Sequence, residues 1–320
     1  MLLKLWRIIV MKKKYQLVIF LLGFLVGIVS MGSAQTTVQP QKGKKDVLAV
    51  DARNKFQSVK INFKAVVGDK PFDCRESYDG IGTTNSKMTV TDFRFYVQNV
   101  RLVDKKGREI LVKLANDGKF QTDSVALIDF ENGTGNCTTG TQELNTVING
   151  EVSKGEYTAL KFQIGVPENL NHLDPTLQPS PLNISKLMWG WQMGYKFAVI
   201  EIKTTGRPNG YVVHLGSTEC QTDAASGTTS CGKNNRPEFV FDKFNLTKDI
   251  VTVDLKALFA GSNVDINQEK TASGCMSFES DSDCSTIFRN LGLTFSSNPA
   301  VRQSFMRAEK SPGNSTQNTE

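Results

Sequence analysis

Histidine is nearly absent from this chain, which has two histidines in 320 residues. The sequence also lacks GxSxG, HExxH and CxxC motifs and a complete EF-hand loop. These absences argue against a nucleophile-elbow hydrolase, an HExxH zinc peptidase and an EF-hand calcium site. No motif indicates an enzyme class, and we expect a protein that is not itself an enzyme.

Net positive charge is also small once the amino terminus is set aside. The formal net charge is +6, and residues 1–34 hold no acidic residue. Their basic residues are Lys4, Arg7, Lys12, Lys13 and Lys14. The remaining chain therefore carries +6 − 5 = +1. Because nucleic-acid binding depends on clustered basic residues, we expect no nucleic-acid partner.

The amino terminus resembles an export signal. Three lysines at 12–14 precede an apolar run over 17–31, and Gly32 and Ala34 fit the small-residue positions of a cleavage site. The alternative is an uncleaved anchor, but this run has about 15 residues and a membrane-spanning helix needs about 20. We therefore predict a signal peptide over 1–34, a periplasmic or secreted location, and no stable membrane span after cleavage.

Composition divides the rest of the chain. Met11 stands just before the lysines, so residues 1–10 are an upstream start extension if translation begins there. Residues 35–55 and 301–320 are polar, and we predict a flexible linker and a disordered tail. The intervening residues 56–300 are enough for one large domain.

Six cysteines all lie within the predicted domain. An even number in an exported chain favours disulfides over a cysteine-rich metal site, which is the competing interpretation. Of fifteen formally possible pairings, spacing suggests the local pairs Cys220–Cys231 and Cys275–Cys284, which leaves Cys74 with Cys137 to close a longer loop.

Apolar residues recur with a period of two along most of the domain, as in Val59, Ile61 and Phe63. The alternation through Phe93 and Phe95 later shifts phase, as a β-bulge would require. We predict an all-β fold, an antiparallel sandwich or barrel-like domain with long functional loops and few short helices. Leu291–Phe295 is among the predicted strands. The predicted helical pieces are Leu144–Ile148, Ile184–Trp189 and Lys256–Phe259.

A long proline-rich connection interrupts this pattern between Pro167 and Trp189. It contains His172 and Asp174 and is too long for a simple hairpin. Long ordered loops in compact domains tend to be functional, so we treat it as part of a candidate site.

The densest aromatic and thioether cluster, MWGWQMGYKF over 188–197, lies between the two histidines. In an extended strand, Trp189 and Trp191 face one side, followed there by Met193 and Tyr195. His214 lies in a later strand-like run and can face the same patch. Imidazole and thioether groups are ligands that Cu(I) accepts readily. The alternatives are a buried core, and a tryptophan platform for a glycan or protein partner in a module without metal.

Seven blocks of the sequence together resemble the MbnP-like family of exported copper-binding proteins, the "metallo-mystery pair" proteins with a four-cysteine motif. They span residues 57–295. The blocks are KPFDC (70–74), VTDFRFYVQNVRLVD (90–104), LIDFENGTGNC (127–137), NHLDPTLQPSPLN (171–183), MWGWQMGYKF (188–197), HLGSTEC (214–220) and GCMSF (274–278). The family motif counts four cysteines, whereas this chain has six.

The resemblance implies a copper site and a partner. It implies that His172 and His214 bind copper, Cu(I) in preference to Cu(II). It also implies that a tryptophan, Trp189 or alternatively Trp191, is oxidised to kynurenine by a di-haem cytochrome c peroxidase of the MauG-like type. The implied role is copper acquisition, carriage or scavenging. The residues expected around these ligands are Asp174, Met188, Met193 and Tyr195.

Overall fold

The computed structural model describes residues 55–138 and 140–312. The predicted signal peptide, residues 35–54 of the predicted linker and residues 313–320 lie outside the described residues. Within the described part of the chain, no helix is long and apolar enough to cross a membrane.

Strands make up most of the regular structure. The first nine are β1 (Phe56–Val67), β2 (Lys70–Pro71), β3 (Tyr78–Ile81), β4 (Ser86–Asp104), β5 (Glu109–Leu111), β6 (Lys113–Leu114), β7 (Val125–Asp129), β8 (Val147–Ser153) and β9 (Tyr157–Ile164). The later ones are β10 (Met188–Gly190), β11 (Gly194–Tyr195), β12 (Ala198–Thr204), β13 (Tyr211–Leu215), β14 (Thr218–Thr222), β15 (Thr229–Lys233), β16 (Glu238–Phe241), β17 (Asp249–Asp254) and β18 (Met306–Lys310). The helices are α1 (Leu255–Leu258) and α2 (Asp283–Leu291), with 3-10 turns at Pro175–Leu177 and Ser185–Leu187.

The strands form two large sheets and two small hairpins. One sheet has the order β18-β17-β1-β8-β6, with β2 also on β1. The other has the order β13-β12-β4-β9-β16, and β3, β5 and β7 also pair with β4. The hairpins are β10–β11 and β14–β15. Among the described strands the pairing is antiparallel except between β1 and β17. The predicted all-β fold is confirmed.

Alternating apolar residues place an aromatic core between the large sheets. The ring of Phe63 on β1 lies 6.3 Å from that of Phe95 on β4 and 5.7 Å from that of Phe162 on β9, centroid to centroid, with both contacts edge-on. Edge-to-face pairs at such distances are favourable beyond the area that they bury. The predicted phase shift in β4 is present at Asn99, whose φ is +51°, where the register with β9 changes.

Two local predictions are wrong, one because strand pairing prevails over the local pattern and one because a helix ends in the segment. Residues 147–148 of the predicted helix Leu144–Ile148 belong to β8, where Ile148 lies opposite Ile61 of β1. The predicted strand Leu291–Phe295 begins instead at the last residue of α2, which Gly292 ends with φ +79°.

Other segments also differ from, or agree with, the sequence predictions. The helical piece predicted at Ile184–Trp189 is confirmed in part, because Ser185–Leu187 is a 3-10 helix whereas residues 188–189 belong to β10. Residues 306–310 of the predicted disordered tail form β18, which pairs with β17 and so belongs to the domain. The helix predicted at Lys256–Phe259 is present as α1. The three disulfides predicted from spacing are also present, joining Cys74 to Cys137, Cys220 to Cys231 and Cys275 to Cys284.

A cluster of charged side chains is buried on one face of β4 and β7. Arg94 donates from Nε to Asp92 at 2.8 Å and lies 3.7 Å from the carboxylate of Glu131. Asp129 of β7 lies opposite Arg94 in the sheet. Burial raises the pKa of Asp129 to about 7, although the nearby guanidinium partly opposes that shift.

We therefore predict that Asp129 makes stability fall as pH rises from about 4 to about 7, because the unfolded chain releases this proton first. Asp129→Asn should remove this part of the pH dependence, measured as the free energy of unfolding in urea at about pH 5 and about pH 7.5. The exposed Asp79→Asn is the matched control. Equal pH slopes in wild type and Asp129→Asn would contradict the assignment.

Candidate metal centre

His214 lies on β13, within hydrogen-bond distance of a carboxylate on β12. Val199 lies opposite His214, and Glu201 follows two residues later on the same face of the sheet. The distance from His214 Nε2 to Glu201 Oε1 is 2.8 Å. The hydrogen bond from His214 lowers the pKa of Glu201, although burial opposes this. The ionised carboxylate can only accept, so Nε2 carries the proton.

The other ring nitrogen of His214 is available as a ligand. Nδ1 is buried and has no hydrogen-bond partner among the described residues. In a neutral imidazole with its proton on Nε2, Nδ1 holds a lone pair. Metal-binding histidines commonly donate their second ring N–H to a carboxylate, which fixes the tautomer and the orientation of the ring. The Glu201–His214 pair has this arrangement.

The segment around Cys275 fixes His214 along the other edge of β13. The His214 N–H donates to the Cys275 carbonyl at 2.9 Å, and Ser277 Oγ donates to the His214 carbonyl at 2.9 Å. Ser277 Oγ also accepts from the Gly216 N–H at 3.0 Å. The Cys275–Cys284 disulfide joins this segment to α2. The position of His214 is therefore set from both edges of its strand.

His172 is half-buried in the long connection and has the opposite tautomer. Its Nδ1 lies 2.9 Å from the Trp191 carbonyl oxygen, which can only accept, so Nδ1 carries the proton. Nε2 therefore holds the lone pair. It lies 3.0 Å from Nδ2 of Asn171 and 3.3 Å from Sγ of Cys231.

Hydroxyl groups of two buried tyrosines anchor the long connection. Tyr96 donates to the Pro181 carbonyl at 2.9 Å, and Tyr195 donates to the Leu182 carbonyl at 2.6 Å. The buried Asn171 accepts from the Tyr195 N–H at 3.1 Å. The predicted functional loop is thus fixed to the sheet and to the β10–β11 hairpin, and it holds His172 beside that hairpin.

The aromatic cluster is a tight hairpin rather than one extended strand. The prediction that Trp189, Trp191, Met193 and Tyr195 face the same side is therefore wrong. The hairpin turns between β10 and β11, and Gly194 has φ +77°. A Cβ on Gly194 would lie 2.6 Å from Nδ2 of Asn171, so glycine allows the hairpin to close over that side chain. Trp191 lies in the turn, with 60% of its surface exposed.

Trp189 is half-buried beside His214. Their ring centroids are 6.5 Å apart. The indole also lies against the backbone of Gly216, where an added Cβ would be 2.3 Å from its Cζ3 atom. Any larger residue at 216 would therefore displace the indole, since real contacts do not approach that distance. Of the two candidate tryptophans, Trp189 is the one in ring contact with a histidine.

The four residues that were expected around the ligands occupy a helix cap, the core and the hairpin turn. The carboxylate of Asp174 accepts from the Thr176 N–H at 2.9 Å and caps a 3-10 turn. Met188 is buried in the core, opposite the fully buried Tyr195. Met193 is half-buried in the turn.

The family model of MbnP matches residues 56–277. The chain belongs to the MbnP family. Its fold is similar to the solved structure of MbnP from Methylosinus trichosporium, with a TM-score of 0.73 and 30% sequence identity over 81% of this chain and 100% of that one. No curated protein matches the chain. The resemblance inferred from the seven blocks is confirmed.

In this MbnP-family chain, one group of side chains converges as metal ligands would. Atoms of His172, Cys220 and Cys231 lie within 4.8 Å of one another. Both cysteines are in a disulfide, and the thiolate is the form of cysteine that binds metal. In the oxidised protein, His172 is therefore the potential ligand of this group. Three disulfides are also typical of a protein exported to an oxidising compartment.

Two residues of the candidate site were not predicted from the sequence. Glu201 fixes the tautomer of His214, and Asn171 contacts both His172 and the hairpin. The signal for Glu201 was a single carboxylate in the otherwise apolar run AVIEI. Only the β12–β13 register relates it to His214. Asn171 stands next to His172 in sequence, but nothing in the pattern indicates that it is fully buried.

Proposed function

We propose that this protein is an exported copper-binding protein that acquires, carries or scavenges copper, Cu(I) in preference to Cu(II), and is not itself an enzyme. The observation that carries the proposal is the buried, unpartnered Nδ1 of His214, whose Nε2 is hydrogen-bonded to Glu201. An unpaired buried polar atom costs about 1–3 kcal/mol. A bound metal ion would satisfy it.

The two histidines offer complementary donor atoms. His214 would bind through Nδ1 and His172 through Nε2, because the opposite nitrogen of each ring carries the proton. The β10–β11 hairpin lies between them, with the Trp191 carbonyl on His172 and the Trp189 ring beside His214. Imidazole nitrogen suits copper, and two such donors leave room for one more.

The third donor in this proposal is Trp189 after oxidation to kynurenine by a di-haem cytochrome c peroxidase of the MauG-like type. Cleavage of the C2–C3 bond of the indole by two equivalents of peroxide at the haem, followed by hydrolysis that releases the C2 carbon as formate, would open the pyrrole ring and free an aryl amine, a nitrogen donor that tryptophan lacks. The half-buried position of Trp189 beside His214 supports this choice over the exposed Trp191. The haem partner itself is an inference from membership of the family.

A periplasmic or secreted location completes the proposal. The three disulfides and the signal-like amino terminus support it. The alternative, a glycan or protein platform made by two tryptophans, is not favoured, because Trp189 packs against Gly216 and only Trp191 is well exposed.

We predict that the protein binds one copper ion and that replacing both histidines in His172→Ala/His214→Ala abolishes this binding. Each substitution removes one of the two encoded nitrogen donors. The measurement is a titration with Cu(I) under anaerobic conditions against a chromophoric competitor, on protein whose fold is checked by near-UV circular dichroism. Stoichiometric copper retained by the double variant would rule out this site.

A variant that should weaken copper binding without abolishing it tests the role of Glu201 in the same titration. Glu201→Gln should weaken copper binding about 10- to 100-fold, the usual effect of removing a carboxylate that orients a metal-binding histidine. Glu151→Gln, an exposed carboxyl-to-amide change on β8, is the matched control and should bind as wild type.

We also predict that Trp189, rather than Trp191, is modified in protein isolated from its native host. Peptide mass analysis should find residue 189 with one carbon replaced by one oxygen, the change from tryptophan to kynurenine. Trp191→Phe should retain the modification and Trp189→Phe should lose it. Modification found at Trp191, or at neither residue, would contradict the assignment.

A further inference from the structure

The Cys220–Cys231 disulfide is the accessible one of the three. Cys220 and Cys231 are both partly exposed, on the β14–β15 hairpin. The other four cysteines are at most 2% exposed: Cys74, Cys137, Cys275 and Cys284. Thiol–disulfide exchange requires a thiolate to reach one sulfur of the bond, so a reductant meets Cys220–Cys231 first.

This disulfide also contacts the imidazole of His172, a side chain that can bind metal ions. Sγ of Cys231 is 3.3 Å from Nε2 of His172, the nitrogen that holds the lone pair. Both sulfurs and a His172 ring nitrogen lie within 4.8 Å of one another. Two thiolate sulfurs and one imidazole nitrogen at such distances would form the ligand set of a soft metal ion. The bond between the two sulfurs prevents this in the oxidised protein.

The hairpin would hold the two sulfurs together after that bond is broken. Cys220 and Cys231 are direct partners in the antiparallel ladder, with Thr218 opposite Lys233 and Gln221 opposite Ser230 on either side. The hydroxyl groups of Thr222 and Thr229 are also 2.8 Å apart. These contacts do not depend on the disulfide.

His172 is also held independently of the disulfide. Its Nδ1–H donates to the Trp191 carbonyl, and Asn171 contacts its Nε2. Asn171 is in turn fixed by the Tyr195 N–H. Reduction would therefore leave the imidazole where it is, facing two thiols in place of a disulfide.

We propose that the Cys220–Cys231 disulfide is a redox switch, whose reduction by a dithiol creates a soft-metal site formed by Cys220, Cys231 and His172. The inference deepens the proposed function and rests on it only for the use of His172 as a ligand. The metal class is a thiophilic ion, with Cu(I) foremost.

The chemistry of the switch is a two-electron exchange. One thiolate of the dithiol attacks one sulfur of the pair, and the S–S electron pair leaves on the other sulfur. The second thiol of the reductant then attacks the reductant's own sulfur in the mixed disulfide, which closes the reductant's disulfide and releases the second cysteine of the protein as its thiolate. The protein gains two electrons, the dithiol loses two, and the two protons pass to solvent when the metal binds both thiolates.

The switch would change which other ligand atoms bind a metal ion together with His172. In the oxidised protein, His172 is available to the copper site with His214. In the reduced protein, two thiolates adjoin the same nitrogen and compete for the ion, since thiolates select Cu(I) over harder ions. Reduction would therefore change how tightly copper is retained.

The first test is selective reduction of the purified protein. Limiting dithiothreitol is added, free thiols are trapped with iodoacetamide, and the labelled peptides are identified by mass. Labelling of Cys220 and Cys231 before the other four cysteines is the expected result. Earlier labelling of either buried pair would overturn the proposal.

The second test uses Cd²⁺ as the probe in a His214→Ala background, which removes the proposed copper site but keeps the three donors. After anaerobic removal of the dithiol, the reduced variant should bind one Cd²⁺ with thiolate-to-metal charge-transfer absorption, and the oxidised variant should show none. Adding His172→Ala should weaken binding about tenfold or more through loss of one ligand. Absence of the charge-transfer band in reduced His214→Ala would overturn the proposal.

Alkylation of the two thiols provides a control for the Cd²⁺ experiment that needs no cysteine substitution. Selectively reduced His214→Ala that has been alkylated at Cys220 and Cys231 keeps its sequence and should lose Cd²⁺ binding. Binding that survives alkylation would show that other groups hold the ion, against the proposal. If oxidised wild type fails to bind copper while reduced His214→Ala binds Cd²⁺, the proposed function fails and the redox site stands.

Discussion

The hydrogen bond between His214 and Glu201 is the interaction on which the candidate site depends. It joins the last two strands at one end of the larger sheet, and it assigns the ring proton to Nε2. The consequence is a buried Nδ1 lone pair without a partner in the described structure. Such an atom costs stability, by about 1–3 kcal/mol, unless something binds it. By fixing the tautomer, the bond to Glu201 leaves this atom free to act as a ligand.

The surrounding fold fixes the residues of the candidate site on both sides of the β10–β11 hairpin. The segment at Cys275–Ser277 fixes the outer edge of β13, and Gly216 leaves space for the indole of Trp189. Tyr96 and Tyr195 tie the long connection to the domain, so that His172 meets the carbonyl of Trp191. A rigid sheet thus supplies one imidazole and an anchored loop supplies the other, with the hairpin between them.

The sequence carried enough information for the fold class and the cysteine pairs, and it singled out both histidines as candidate ligands. Alternation in β1 predicts a strand because one face must be buried, and close spacing of Cys220 and Cys231 predicts a local disulfide. The orientation of the tryptophans was not predictable, because a period of two assumes an extended segment and Gly190 and Gly194 allow a turn. Glu201 was missed because its partner depends on strand register, which no local pattern records. Strand β18 was missed because its polar sequence is paired through backbone groups at the edge of a sheet.

The most direct test of the central claim is a crystal structure of the copper-bound protein. We predict copper on Nδ1 of His214 and Nε2 of His172, with the bond from Nε2 of His214 to Glu201 intact. Copper on Nε2 of His214 with Glu201 displaced, or copper bound away from His214, would contradict the account.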